Sequence, residues 1–117
     1  MDMLSLNETL IENIKKDIVR MVKNLMDTEL IKIILYGSCA RGDYTDDSDM
    51  DIALLTKCDR ANAKMYGDSL ALIATELAMK YFVVVNLVCL PYQEFIEKKS
   101  WYAYFQNIDR EGIVLYG

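Results

Sequence analysis

Two short apolar, β-branched runs, Leu30–Tyr36 and residues 50–55, flank a polar break with distinctive punctuation. The first run stops at Gly37-Ser38, and the second begins directly after Ser48-Asp49, with Asp51 as its second residue. Runs of this length and composition read as buried strands. Alternate residues of a strand share a face, so Asp49 and Asp51 project together, with Cα atoms about 6–7 Å apart. Met50 and Ile52 then turn toward the core. The chain must therefore fold so that a glycine-serine turn ends one strand and a carboxylate pair opens another.

The remaining pattern supplies the other elements. Ser5-Leu6-Asn7-Glu8 has the form of a capping box, and apolar residues then recur at three- and four-residue steps, which predicts a helix over residues 6–26. Residues 38–41 predict a short helical turn, and residues 42–48 a polar loop. Asp59 stands where it can cap a helix over residues 60–80, weakened at Gly67 by up to about 1 kcal/mol. Residues 82–90 predict a third strand. Pro91 suits the first turn of the next helix. Tyr92–Lys98 and residues 100–109 predict two short helices, and Ile113–Tyr116 a final strand. The order specifies a one-domain α/β or α+β protein over residues 1–117, with a small sheet. No internal repeat, low-complexity tract or linker interrupts it.

Bulk composition narrows the function classes. The 117 residues are 53% apolar, enough for one hydrophobic core. Net charge is −5 and basic runs are no longer than pairs, which disfavours long DNA or RNA as a partner. Three cysteines without a C-x-x-C spacing disfavour a disulfide framework or structural zinc. The chain has no histidine, which removes Ser-His and Cys-His nucleophile schemes. No apolar run approaches the roughly 20 residues that span a bilayer, and the N-terminus lacks a signal-peptide pattern, so a cytoplasmic location is expected.

The break between the first two strands carries the chemistry. Gly37 lets backbone approach a phosphate and suits a positive-φ turn. Ser38 adds a hydroxyl, and the amides after it would lie at a helix start that favours anions. Asp49 and Asp51 suit Mg²⁺, a hard cation completed by substrate phosphates. Competing motifs fail. Asp43 stands where a P-loop needs lysine. No G-x-G-x-x-G occurs. An EF-hand register puts Ile52 where the turn glycine belongs and Cys58 where the bidentate glutamate belongs.

Gly37-Ser38, then Ala40-Arg41-Gly42, then Ser48-Asp49-Met50-Asp51 resembles the signature of the nucleotidyltransferase superfamily that includes DNA polymerase beta. The short length, first helix and Glu111-Gly112 ending resemble its minimal branch, the MntA-like antitoxins. The resemblance implies a nucleotidyltransferase fold, a small mixed sheet with flanking helices. It also implies transfer of a nucleoside monophosphate, usually AMP from ATP, to a hydroxyl. Gly37 and Ser38 would hold the triphosphate, with Arg41 and Ser48 as further nucleotide contacts. Asp49 and Asp51 would ligate Mg²⁺ and carry catalysis. The implied partner is a HEPN-domain, HepT-like toxin whose tyrosine would be modified. A homo-oligomer stays open.

The family's third carboxylate is absent. The strand that should carry it has Asn86 as its one polar residue, and Glu76 is the nearest acidic residue upstream. A second reading is therefore a binding protein that keeps the fold without catalysis and neutralises a partner by covering it. Transfer to a small hydroxyl compound ranks below both, since little chain remains for a second substrate domain. Asn86 itself reads as a hydrogen-bonded core amide, with the third-ligand position as the alternative. Arg41 suits a structural ion pair as well as a ligand contact. Cys39 reads as small filler, and Asp43, Asp46 and Asp47 as a charged exposed loop. Trp101, Tyr102, Tyr104 and Phe105 would pack the last helix onto the sheet, with Tyr104 the candidate to project outward.

Overall fold

In the computed structural model, residues 6–117 are described. Helix α1 (Glu8–Met26) buries Ile11, Ile14, Ile18, Val22 and Met26, one stripe at helical spacing. Its cap is Asn7, whose side chain accepts from the Leu10 amide at 2.9 Å. The helix thus starts two residues later than the sequence pattern predicts, and Ser5 lies outside the described residues. A 3-10 turn, Asp27–Glu29, leads into β1 (Leu30–Tyr36). Then come α2 (Ser38–Arg41), β2 (Met50–Thr56), α3 (Arg60–Lys64), α4 (Gly67–Tyr81), β3 (Val85–Pro91), α5 (Tyr92–Lys98), α6 (Ala103–Glu111) and β4 (Ile113–Tyr116).

The strands form one mixed sheet in the order β3-β2-β1-β4. β1 runs antiparallel to both β2 and β4, while β2 and β3 are parallel. Strand alternation splits the core in two. Ile33 and Leu35 of β1, with Met50, Ile52 and Leu54 of β2, pack against α1 and α4. Ile34, Ala53 and Leu55 face the other way, onto Phe95 of α5 and Phe105 and Ile108 of α6. Each fully buried Ile or Leu contributes about 1.5–3 kcal/mol. Asp51 has the parity of Ala53 and Leu55, so it belongs to the α5/α6 face.

Further boundaries differ from the sequence reading, among them the start of α6, at Ala103 and not at residue 100. The single helix over residues 60–80 is two helices: Asp59 does cap α3, accepting from the Asn62 amide, but the chain turns at Met65-Tyr66 and restarts at Gly67. Glycine is a poor helix former, and here it marks the break. β3 begins at Val85, because Phe82 adopts a left-handed conformation (φ 57°) that ends α4. Pro91 closes β3 and caps α5 instead of entering its first turn; its missing N–H is tolerated because β3 is an edge strand.

One ion-pair cluster ties α1 to the end of α4. Asp17 accepts from Lys80 Nζ at 2.8 Å and from the Tyr81 hydroxyl at 2.5 Å. Lys80, then Tyr81, hold its carboxyl down at about 2, below an ordinary 3.8. The folded state therefore binds this proton less readily than the unfolded chain, so the stabilisation is complete above 3.8 and lost as pH falls toward 2. Lys80 is largely exposed, so solvent screening limits the effect to about 1 kcal/mol. Asp17→Asn should lower the urea midpoint at pH 7 correspondingly, and the gap from the parent protein should narrow between pH 3.8 and 2.

Candidate active site

β1 ends at Tyr36, and Gly37 then takes φ 78° and ψ −159°, a conformation that L side chains rarely adopt. Space enforces glycine as well: a Cβ here would sit 2.5 Å from Asp51 Oδ2. The glycine-serine turn and the acidic pair therefore meet at one place. The Gly37 carbonyl accepts from the Ala40 and Arg41 amides, both at 3.1 Å, which starts α2. Left-handed Gly42 ends that turn by donating to the Ser38 carbonyl.

Register builds the rest. Tyr36 stands opposite Asp51 across the β1–β2 ladder, and Asp51 stands beside Asn86 across the β2–β3 ladder. Asn86 is exposed, not a core amide as the sequence suggests, because β3 alternates and Val85 takes the buried side. Its amide nitrogen donates to Asp51 Oδ1 at 3.0 Å and lies 3.4 Å from Asp49 Oδ2. One N–H₂ group thus bridges two like-charged carboxylates and offsets part of their repulsion. Glu76 does not join them. It is exposed on α4, the helix covering the opposite sheet face, and among the described residues no third acidic, cysteine or histidine group gathers with the pair.

Cys39 is buried, and its thiol donates to the Asp49 carbonyl at 3.6 Å. Burial, then the charge of Asp51, pushes the thiol up, so Cys39 is a packing group and not a nucleophile. Ser48 is used locally: its hydroxyl accepts from the Thr45 amide at 2.8 Å, closing the turn before Asp49. Arg41 pairs with Asp43 at 3.2 Å and with Glu111, at the end of α6, at 3.0 Å. Gly37, Asp49, Asp51 and Asn86 are thus brought together, while Arg41 and Ser48 are engaged beside them.

Tyr36 and Tyr104 carry a contact the sequence does not reveal. Their hydroxyls are 2.7 Å apart and their rings meet edge to face. Burial, then the Tyr104 hydrogen bond, pushes the Tyr36 hydroxyl well above the ordinary phenol range. Strand parity places Tyr36 on the Asp51 face, but its partner lies on a distant helix. The aromatic cluster therefore divides otherwise than expected: Tyr104 turns inward and Phe105 is buried, while Trp101 is 67% and Tyr102 43% exposed. From Asn86 a groove of about 980 Å³ runs along β3, between Arg60 and Lys64 of α3 and Trp101, Tyr102 and Tyr104. Glu94 on its wall is paired with Arg60 and Lys98, chiefly Arg60, which hold its carboxyl down at about 2.

Residues 11–110 match the family model described as nucleotidyltransferase domain. The chain is 37% identical to "Putative protein adenylyltransferase MJ0604" of Methanocaldococcus jannaschii, over 86% of this chain and 93% of that protein. It is 32% identical to "Putative protein adenylyltransferase MJ0141" of the same organism, over 66% of this chain and 72% of that protein. Among solved structures, a toxin–antitoxin with AMP-PNP superposes with a TM-score of 0.57 at 24% identity, over 88% of this chain and 73% of that one. A mutant of the toxin–antitoxin MntA-HpeT superposes with a TM-score of 0.56 at 26% identity, over 96% of this chain and 73% of that one. The four-stranded mixed sheet with flanking helices is the fold these proteins share.

Proposed function

The chain belongs to the nucleotidyltransferase domain family, and from that premise we propose that Gly37, Ser38, Asp49 and Asp51 form a magnesium-nucleotide site passing AMP from ATP to a hydroxyl of a partner protein. The observation that carries this reading is the close approach of Gly37 to Asp51, where a Cβ would lie 2.5 Å from the carboxylate. That approach sets the turn and the acidic pair side by side, where one ligand would meet both. The two carboxylate groups fit Mg²⁺, which takes few protein oxygens and is completed by phosphate and water, whereas the Asn86 N–H₂ donates to both and supplies no ligand. When bound, the ion supplies charge neutralisation on the phosphates and lines them up for in-line displacement.

The chain's own residues have separate tasks in this reading. Asn86 holds the two carboxylates in one orientation. The Cys39 thiol, on the Asp49 carbonyl, fixes the backbone from which the pair projects. Gly37 admits a phosphate to the turn, and Ser38 offers its hydroxyl. Arg41 and Ser48 border the nucleotide, Arg41 by exchanging one of its two carboxylate partners for a phosphate. The acceptor oxygen bonds to the α-phosphorus as the bond to pyrophosphate breaks, and pyrophosphate leaves with the electron pair. With no histidine in the chain, the acceptor proton passes to an aspartate or to water.

The named relatives support a protein as acceptor, and the toxin–antitoxin neighbours support an antitoxin role; a tyrosine of a HEPN-type toxin is the acceptor that the sequence resemblance implies. The domain would span residues 1–117 and act in the cytoplasm; no helix among the described residues is long and apolar enough to cross a membrane. A second reading is a binding protein without turnover, and Asn86 in place of a carboxylate favours it. Incubation of the pair with α-labelled ATP and Mg²⁺ separates them. The first reading gives label on the partner that EDTA prevents. A stable complex that never takes label sinks it and leaves the second.

A further inference from the structure

A second groove, of about 710 Å³, lies between α1 and β4, the strand farthest from β3 in the sheet. β4 pairs only with β1, so its other side is a free sheet edge among the described residues. Ile113 and Val114 on it are 40% and 51% exposed. The strand Ile-Val-Leu-Tyr carries no charge or proline to discourage pairing, and such an edge is a template for another strand.

The α1 wall of the groove has a marked polarity. It presents Lys15, Lys16, Arg20 and Lys23 against a single carboxylate, Glu12, in a chain of net charge −5. Glu12 is taken by Lys15 at 2.9 Å. Arg20 reaches Asp17 only at 3.4 Å, and Asp17 is already held by Lys80 and Tyr81. Lys23 stands over the Tyr116 ring at 4.9 Å, and neither it nor Lys16 has an ion pair among the described residues. The wall therefore keeps uncompensated positive charge beside an apolar strand edge.

We propose that this groove docks an extended acidic segment of another protein, which adds to β4 as a fifth strand. Main-chain hydrogen bonds to the edge supply affinity, and carboxylates facing Lys16, Arg20 and Lys23 supply selectivity. A second copy of this chain fits poorly, because two-fold β4–β4 pairing would set the two cationic strips against each other. A nucleic acid would leave the strand edge and Val114 unused. The proposal is independent of the transfer reaction.

The test uses a fluorescent synthetic peptide of alternating Glu and Val, about ten residues long, titrated by anisotropy and by amide shifts of the labelled protein. The Glu-Val peptide should saturate, shift the amides of Ile113–Tyr116, and weaken with salt. The combined change Lys16→Glu, Arg20→Glu and Lys23→Glu should weaken it about tenfold or more. If that variant fails to fold by circular dichroism, Lys16→Glu alone should weaken it about threefold. Absence of saturation, equal binding of a Lys-Val peptide, or an affinity unchanged by charge reversal would overturn the proposal. So would an oligothymidylate that shifts the same amides, or a dimer of the free protein protected at β4.

Discussion

Asp51→Asn should abolish nucleotide transfer, by about a hundredfold or more, and leave the fold as stable as before or slightly more so. The two effects diverge because Asp51 stands in a cluster of like charge. Among the described residues the donor to its carboxylate is Asn86, and the amide oxygen left at position 51 would still accept that bond at the same distance. Asp49 would lose a negative neighbour, which relieves repulsion. The substitution is nearly isosteric, so the tight approach to Gly37 is kept. What disappears is the anionic oxygen that a divalent cation needs. The parent protein should gain thermal stability when Mg²⁺ and ATP are added together, by the linkage that follows any ligand binding only the folded state. The variant should lose most of that gain. A lower melting temperature in EDTA with an unaltered response to Mg²⁺ and ATP would mean that Asp51 is a structural residue.

Local chemistry explains which parts of this arrangement were legible in the sequence. β1 and α2 have the expected bounds because Gly37 and Gly42 both take positive φ and punctuate the chain where their lack of a side chain predicts. Parity along β2 correctly sends Met50 and Ile52 to the core and Asp51 to the opposite face. The misplaced boundaries have local causes too weak to read. Phe82 ends α4 in a conformation that composition assigns to glycine or asparagine, and one glycine at position 67 decides between a weakened helix and two helices.

Contacts across the fold were not legible. Asn86 enters the site only because the parallel β2–β3 register sets it beside Asp51, and no periodicity within residues 82–90 reveals that neighbour. Arg41 meets Glu111 across 70 residues, and Tyr36 meets Tyr104 across 68. Both contacts depend on how α6 packs against β1. The signature thus singles out which residues to expect at the site. The tertiary structure decides which of them are occupied by neighbours: Arg41 by two carboxylates, Ser48 by a backbone amide, Asn86 by the acidic pair itself.

Asn86→Asp should have opposite signs in two assays. In EDTA it replaces a donor with an acceptor. The bonds to Asp51 and Asp49, at 3.0 and 3.4 Å, vanish, and a third negative charge arrives where the N–H₂ group stood. The site is exposed, so water moderates the cost to about 1–3 kcal/mol, or a melting temperature lower by a few degrees. With Mg²⁺ the balance inverts. Three carboxylates, one just before β2, one on β2 and one on β3, present a hard oxygen set, and bound Mg²⁺ should restore the stability that the third charge removes. The new carboxylate also offers a proton acceptor beside the approaching hydroxyl, which amide chemistry denies to Asn86. General-base assistance is typically worth about 10²–10⁴-fold, and a graft without its surrounding contacts should recover only part of that, about tenfold in transfer rate. A melt in EDTA equal to that of the parent protein would show that Asn86 does not bridge the pair in solution. A rate with Mg²⁺ no faster than the parent's would show that position 86 is not where the acceptor hydroxyl arrives.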